Sequence, residues 1–208
     1  MTQATLATVH ALVPLSVLEA MRLQDVPQPD GLEEYHVELT TKRLGMSHTV
    51  ERQIARYEEL AARDGRVPRD EVLALFRLGE RRPDADLLFA DAGRRAGRRA
   101  ADRVGGVKLA LHRALPGVAG RWYGWRLAAE TLKDILDIAL VREGQGFVAE
   151  TPEPVTHEAS QGPACAFLGS AIAAVLRAYT DFEGAVVHER CRARGADRCR
   201  WVAAMRGD

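Results

Sequence analysis

The chain has 208 residues, enough for one domain to bury a hydrophobic core without disulfide staples. Its 29 basic and 29 acidic residues cancel, which removes the electrostatic case for nucleic-acid or membrane-surface binding. No apolar run is long enough to span a bilayer, and three cysteines cannot build a disulfide scaffold, so a reduced, cytoplasmic protein is expected.

In chain order, residues 4–23 predict helical turns interrupted at Pro14, with Ser16 and Glu19 at capping-box spacing for a restart. The stretch has no basic leader region and carries Pro14 and Glu19 within its apolar part, so a signal peptide is not expected. VPQPDG (26–31) reads as a linker, giving an N-terminal helical extension and linker (1–30) and a main domain (31–208). YHVELT (35–40) alternates apolar and polar positions as a half-buried strand does. Val50, Ile54, Tyr57, Leu60 and Ala61 recur at helical spacing, with Gly65 placed as a C-cap. Pro68, Asp70 and Glu71 open a second helix that packs Val72, Leu75 and Phe76. Pro83, Asp84 and Asp86 open a third.

That third helix, DLLFADAGRRAGRRAADRV, carries a stripe of small residues, Gly93, Ala96, Gly97 and Ala100, with arginines on its other faces. Glycine inside a helix is unfavourable by about 1 kcal/mol relative to alanine, so two of them predict close approach of another element. Asp91 and Asp102 stand four positions from Arg95 and Arg98, which fits a solvated, ion-paired face better than a phosphate-binding one.

GGVKLALHRALPG (105–117) predicts a short helix ending near Pro116. RWYGWRLAAE and ILDIALVRE read as two strands joined around Lys133 and Asp134; a continuous amphipathic helix over 127–142 fits the same residues. GQGFVAETPEPVTHEASQGP (144–163) reads as a long polar connection. From Cys165 an apolar-faced helix turns Phe167, Leu168, Ile172, Val175, Leu176 and Tyr179 inward. FEGAVVHERC and CRWVAAM pair as an antiparallel hairpin around Gly195.

The chemistry concentrates in Cys165, His188, Cys191 and Cys199. Pro163 places Cys165 at a helix start, His188 and Cys191 end one strand, and Cys199 begins its partner. Three thiolates and one imidazole suit tetrahedral zinc and leave no open coordination position. The expected site is therefore architectural, stapling the last helix to the hairpin, and binding of the ion counts toward folding. The competing expectation is three inert buried cysteines beside a surface histidine.

Residues 165–201, from Cys165 to Trp201, resemble the C-terminal half of the 4-vinyl reductase domain family, with Cys165, Gly169, Cys191, Gly195 and Cys199 on the family's positions. FADAGRRAGRRAA (89–101) resembles that family's earlier small-residue helix, and GQGFVAE resembles the turn before its last helix. Zinc-bearing members usually have glutamate where His188 stands; Glu189 is the second candidate for that ligand, although strand alternation points it to the opposite face. The resemblance implies an α+β fold, an antiparallel sheet with helices packed beside it, of the kind shared with vesicle-tethering (TRAPP-like) subunits, with a zinc clip joining the last helix to the C-terminal hairpin. It also implies a sensor that holds a small hydrophobic, aromatic or tetrapyrrole-type molecule in an enclosed apolar pocket.

Candidate pocket walls are Trp122, Tyr123, Trp125, Phe147 and His112, each of which also suits ordinary core packing. The family's name suggests a second reading, a tetrapyrrole vinyl reductase or an accessory protein of (bacterio)chlorophyll-type biosynthesis. Such chemistry needs a hydride source, and the chain carries no dinucleotide fingerprint and no catalytic grouping. A third reading is a dimeric assembly module, since the vesicle-tethering relatives dimerise through helices. The expectation is a non-catalytic, homodimeric ligand-binding domain with structural zinc and neither nucleic-acid nor membrane partners.

Overall fold

The first helix starts ahead of Pro14, not after it. In the computed structural model, which describes residues 8–25, 48–144, 146–152, 155–156 and 162–203, helix α1 runs unbroken over Leu12–Gln24. Pro14 occupies the first turn, where its missing N–H would have had no partner in any case. The interruption expected at Pro14 does not occur, and Ser16 and Glu19 lie inside the helix, both buried. Glu19 accepts a hydrogen bond from Arg99 Nη2 at 2.6 Å. Every residue from Leu12 to Ala20 is buried, so this helix belongs to the same core as the rest. The strand expected at 35–40 and the linker at 26–31 lie outside the described residues.

A short strand, β1 (Thr8–His10), pairs antiparallel with β2 (Arg66–Pro68). Between them in sequence lies α2 (His48–Ala62). Its C-terminus is closed by Gly65 N–H donating to Leu60 O at 2.8 Å and Asp64 N–H donating to Ala61 O at 3.1 Å. The left-handed residue of this cap is Asp64 (φ 55°) and not Gly65, one position earlier than the glycine suggested. Helices α3 (Arg69–Glu80) and α4 (Ala85–Asp102) follow where the proline and acidic start signals place them, and α5 (Gly106–Ala114) is the short helix expected before Pro116.

Helix α6 (Gly117–Leu136) replaces the first of the two strands expected over 121–143, and the second is present only over its last five residues. Trp122, Tyr123 and Trp125 have strand propensity, but Gly120, Gly124, Leu127, Ala128, Thr131, Leu132 and Ile135 form a buried face at helical spacing. Helix α6 ends at Asp137 in the left-handed conformation, and β3 (Ala139–Glu143) follows. The alternative helix over 127–142 therefore holds as far as residue 136.

The polar connection expected over 144–163 contains a central strand, β4 (Gly146–Thr151). Prolines 152 and 154 mask the apolar run Phe147–Ala149 just before them. Helix α7 (Cys165–Tyr179), β5 (Val186–Arg190), a 3-10 turn (Arg192–Arg194) and β6 (Cys199–Ala203) complete the order. The main sheet is antiparallel, in the order β3-β4-β6-β5.

Helix α7 lies between the sheet and α4, which explains why nine of its residues are buried. The small-residue stripe makes the α4–α7 contact possible. A Cβ on Gly93 would come 2.1 Å from Phe167 O, and one on Gly97 2.6 Å from Ala171 O. Helix α1 packs against α4 in turn, and α6 flanks α7. Asp91 pairs with Arg95 at 2.7 Å and Arg94 at 3.3 Å, as a solvated face requires. The expected Arg98–Asp102 pair is not among the ion pairs of the described residues, and Arg99 instead reaches the buried Glu19 of α1 at 2.6 Å.

His10 ends β1, is 3% exposed, and accepts the Leu12 N–H at Nδ1 (3.1 Å). Burial, reinforced by Arg103 and opposed by Asp64, pulls its pKa down to about 4. A depressed histidine pKa means that the unfolded chain binds the proton more readily between its ordinary value and about 4. Stability is thus fully present above pH ~6.5 and falls as the pH drops toward 4, by up to about 3 kcal/mol. Urea midpoints measured from pH 7 to 4.5 should fall more steeply for the wild type than for His10→Asn, which retains an acceptor for Leu12. Identical slopes would contradict a neutral buried His10.

Candidate metal centre

Four local features deliver the four side chains to one point. Cys165 is the first residue of α7, where its N–H donates to Gly162 O at 3.0 Å. His188 lies on β5 opposite Trp201 of β6, and the two rings stack at 4.6 Å with 10° between their planes.

The third ligand depends on a β-bulge. His188 pairs with Trp201 and Arg190 with Arg200, so the register slips at Glu189. Strict alternation would send residues three apart, such as 188 and 191, to opposite faces. One extra residue restores parity and turns His188 and Cys191 to the same side. Glu189 is left facing outward, where Arg200 Nε donates to it at 2.7 Å. His188 therefore joins the cysteines and Glu189 does not.

The fourth ligand returns through a tight loop. Cys191 O accepts from Arg194 N–H (3.0 Å) and Ala196 N–H (3.2 Å), and Gly195 takes the left-handed conformation at φ 93°. Cys199 then starts β6 opposite Thr151, with no exposed surface. Two further groups, which nothing in the sequence singles out, support the sulfurs. Arg192 N–H donates to Cys199 Sγ at 3.3 Å, and the buried Thr156 hydroxyl sits 3.9 Å from Cys165 Sγ. The Arg192 guanidinium also donates to Pro152 O, tying the loop to the end of β4.

The candidate ligand atoms of Cys165, His188, Cys191 and Cys199 all lie within 4.8 Å of one another. Cys165 Sγ and Cys191 Sγ are 3.9 Å apart. That is about twice a disulfide bond length, and close to the ~3.8 Å that separates two thiolates each 2.3 Å from a tetrahedral ion. All three thiols are free and buried. Without a cation the cluster cannot hold three charges. Hydrogen bonding to Cys199, burial and the neighbouring Cys191 push the Cys165 thiol far above the ordinary range. Cys199 moves the opposite way, held down chiefly by the hydrogen bond from Cys165, with help from His188 and the Arg192 N–H. Like charges this close exclude one another, so the three sulfurs cannot all ionise together.

A dication would relieve that repulsion, and the donor set fits one. His188 Nε2 is buried and makes no hydrogen bond of good geometry to a protein group. Three sulfurs and one imidazole suit zinc, and a full complement of protein ligands leaves no place for substrate or water. His188→Ala should lower zinc affinity at least tenfold, whereas Glu189→Ala should keep one metal per chain. Competition with a chromophoric chelator measures both, and equal losses would show that the wrong residue has been placed at the site.

The five candidate pocket residues do not converge. Trp122 is 55% exposed, with the Arg126 guanidinium 5.9 Å from its ring centre. Tyr123 and Trp125 are half-buried elsewhere on α6. His112 on α5 lies near Tyr123 and Tyr179, at ring distances of 6.3 and 6.4 Å. Phe147 is in the sheet, opposite Arg142 and Ala203. Clefts among the described residues include one of about 550 Å³ and one of about 360 Å³. His112 borders the smaller; the other four border neither.

Among the described residues no helix is long and apolar enough to cross a membrane. Protein-family models, curated proteins and solved structures were each compared with the chain, and none matches it.

Proposed function

We propose that this chain is a zinc-stabilised, non-catalytic domain that binds a small hydrophobic or aromatic molecule, built on the 4-vinyl-reductase-like plan and acting as a homodimer. The observation that carries the proposal is the convergence of Cys165, His188, Cys191 and Cys199 at the junction of α7 with the β5–β6 hairpin. An ion held by four protein side chains has no vacant position for a substrate, so its role is to stiffen the fold. The resemblance of residues 165–201 supports zinc as the metal and small-molecule sensing as the role of the domain so stiffened.

A thermal-shift screen with phenols, indoles and porphyrin precursors tests the binding role. A rise in melting temperature that saturates with one compound class is expected. Flat responses across all three classes would contradict it, and turnover of a divinyl tetrapyrrole with added NADPH would replace it with the reductase reading.

A further inference from the structure

We propose that the larger cleft, bordered by β1, α4, α5 and α6, binds the carboxylate of an organic anion with an apolar body. The inference rests on the binding-module reading and gives it a location and a ligand chemistry. The cleft measures about 550 Å³, room for a compact organic molecule.

Its decisive feature is His10. The Leu12 N–H can only donate, so Nδ1, which accepts it, carries no proton, and the neutral imidazole holds its proton on Nε2. That Nε2–H is buried and has no hydrogen-bond partner. The closest carboxylate oxygen, Asp64 Oδ1, is 3.7 Å away, too far for a hydrogen bond. A buried donor without an acceptor is unfavourable by about 1–3 kcal/mol, and His10 borders the cleft.

The second feature is the start of α5, which borders the same cleft through Gly105, Gly106, Val107 and Lys108. Its N-cap is Gly105, no side chain caps it, and no acidic residue lies in its first turn. The first-turn N–H groups are therefore free to hold an anion.

Charge points the same way. Arg66, Arg103 and Lys108 border the cleft against Asp64 and Asp134, while Arg66 pairs with Asp137 at 2.8 Å and Lys108 with Glu130 at 3.1 Å outside it. Arg103 bonds Asp64 at 2.5 Å, but the Asp64 side chain is 79% exposed, so a ligand carboxylate can displace it at little loss. Ala100, Val104, Val107 and Ile135 supply an apolar wall for the rest of the molecule.

The probes are 2-naphthoate and 2-naphthamide, the same ring with and without the charge, titrated into the 15N-labelled full chain and followed by amide chemical shifts. Naphthoate should perturb Gly105, Gly106 and Val107 and bind at least tenfold more tightly than the amide. Gly106→Pro removes one donor where proline suits a helix start: Gly105 already has the extended conformation (ψ 140°) required before proline, and an added Cβ meets nothing within 4 Å. It should weaken naphthoate about tenfold with an unchanged melting temperature, and His10→Asn should weaken naphthoate about as much at pH 7. Equal affinity for the two probes, no binding of naphthoate, or insensitivity to both variants would overturn the proposal. Naphthamide binding with shifts elsewhere would overturn the cleft while leaving the binding-module reading in place.

Discussion

Cys199→Ser is expected to lower the melting temperature by ~10 °C or more. The residue touches every part of the centre: it begins β6, receives the Arg192 N–H, and lies within 4.8 Å of the other three candidate ligands. Structural zinc sites in small domains contribute on the order of 10 kcal/mol of apparent folding free energy. Here much of the core forms between α1, α4 and α7 without the ion, so a net loss of about 4 kcal/mol is a conservative expectation. For a chain of this size each kcal/mol is worth ~2–4 °C. The wild type treated with a strong chelator should melt where the mutant does, because both lack the same tie. Calorimetry with and without chelator reads this directly. Midpoints within about 2 °C of one another would mean that the hairpin needs no metal.

Gly93→Ala should destabilise the chain by about 3 kcal/mol, the opposite of what helix propensity alone expects. Alanine is better than glycine in a helix interior by ~1 kcal/mol. At Gly93, however, the added carbon would come within 2.1 Å of Phe167 O, roughly 1 Å closer than even a weak C–H···O contact tolerates. The obstacle is backbone, with no side chain to rotate away, so α4 and α7 must separate along the stripe. Gly106→Ala provides the control, since a Cβ there meets nothing within 4 Å and should be neutral or slightly stabilising. Urea titration of both variants checks the pair of signs. A Gly93→Ala protein as stable as the wild type would show that the two helices lie farther apart.

The four candidate ligands were legible because each residue type is rare in the chain and their spacing is local to one helix start and one hairpin. The bulge at Glu189 was not read directly, yet it was implicit: His188 and Cys191, three apart, cannot share a face of a regular strand. Helix α6 was misread because Trp122, Tyr123 and Trp125 favour strands locally, whereas its burial pattern spans 20 residues and depends on α7 and β3. β4 was missed for a related reason. Its alternation is weak because it is a central strand covered by neighbours, and the prolines that follow make the whole segment resemble a loop. The small-residue stripe on α4, by contrast, announced a close approach that Phe167 and Ala171 supply.

X-ray absorption at the zinc edge, on protein expressed with zinc and purified without chelator, probes the central claim most directly. It should show one zinc per chain with three sulfur neighbours at ~2.3 Å and one nitrogen at ~2.0–2.1 Å. A shell of oxygen neighbours, or protein that carries no metal and melts unchanged, would contradict a Cys165–His188–Cys191–Cys199 centre.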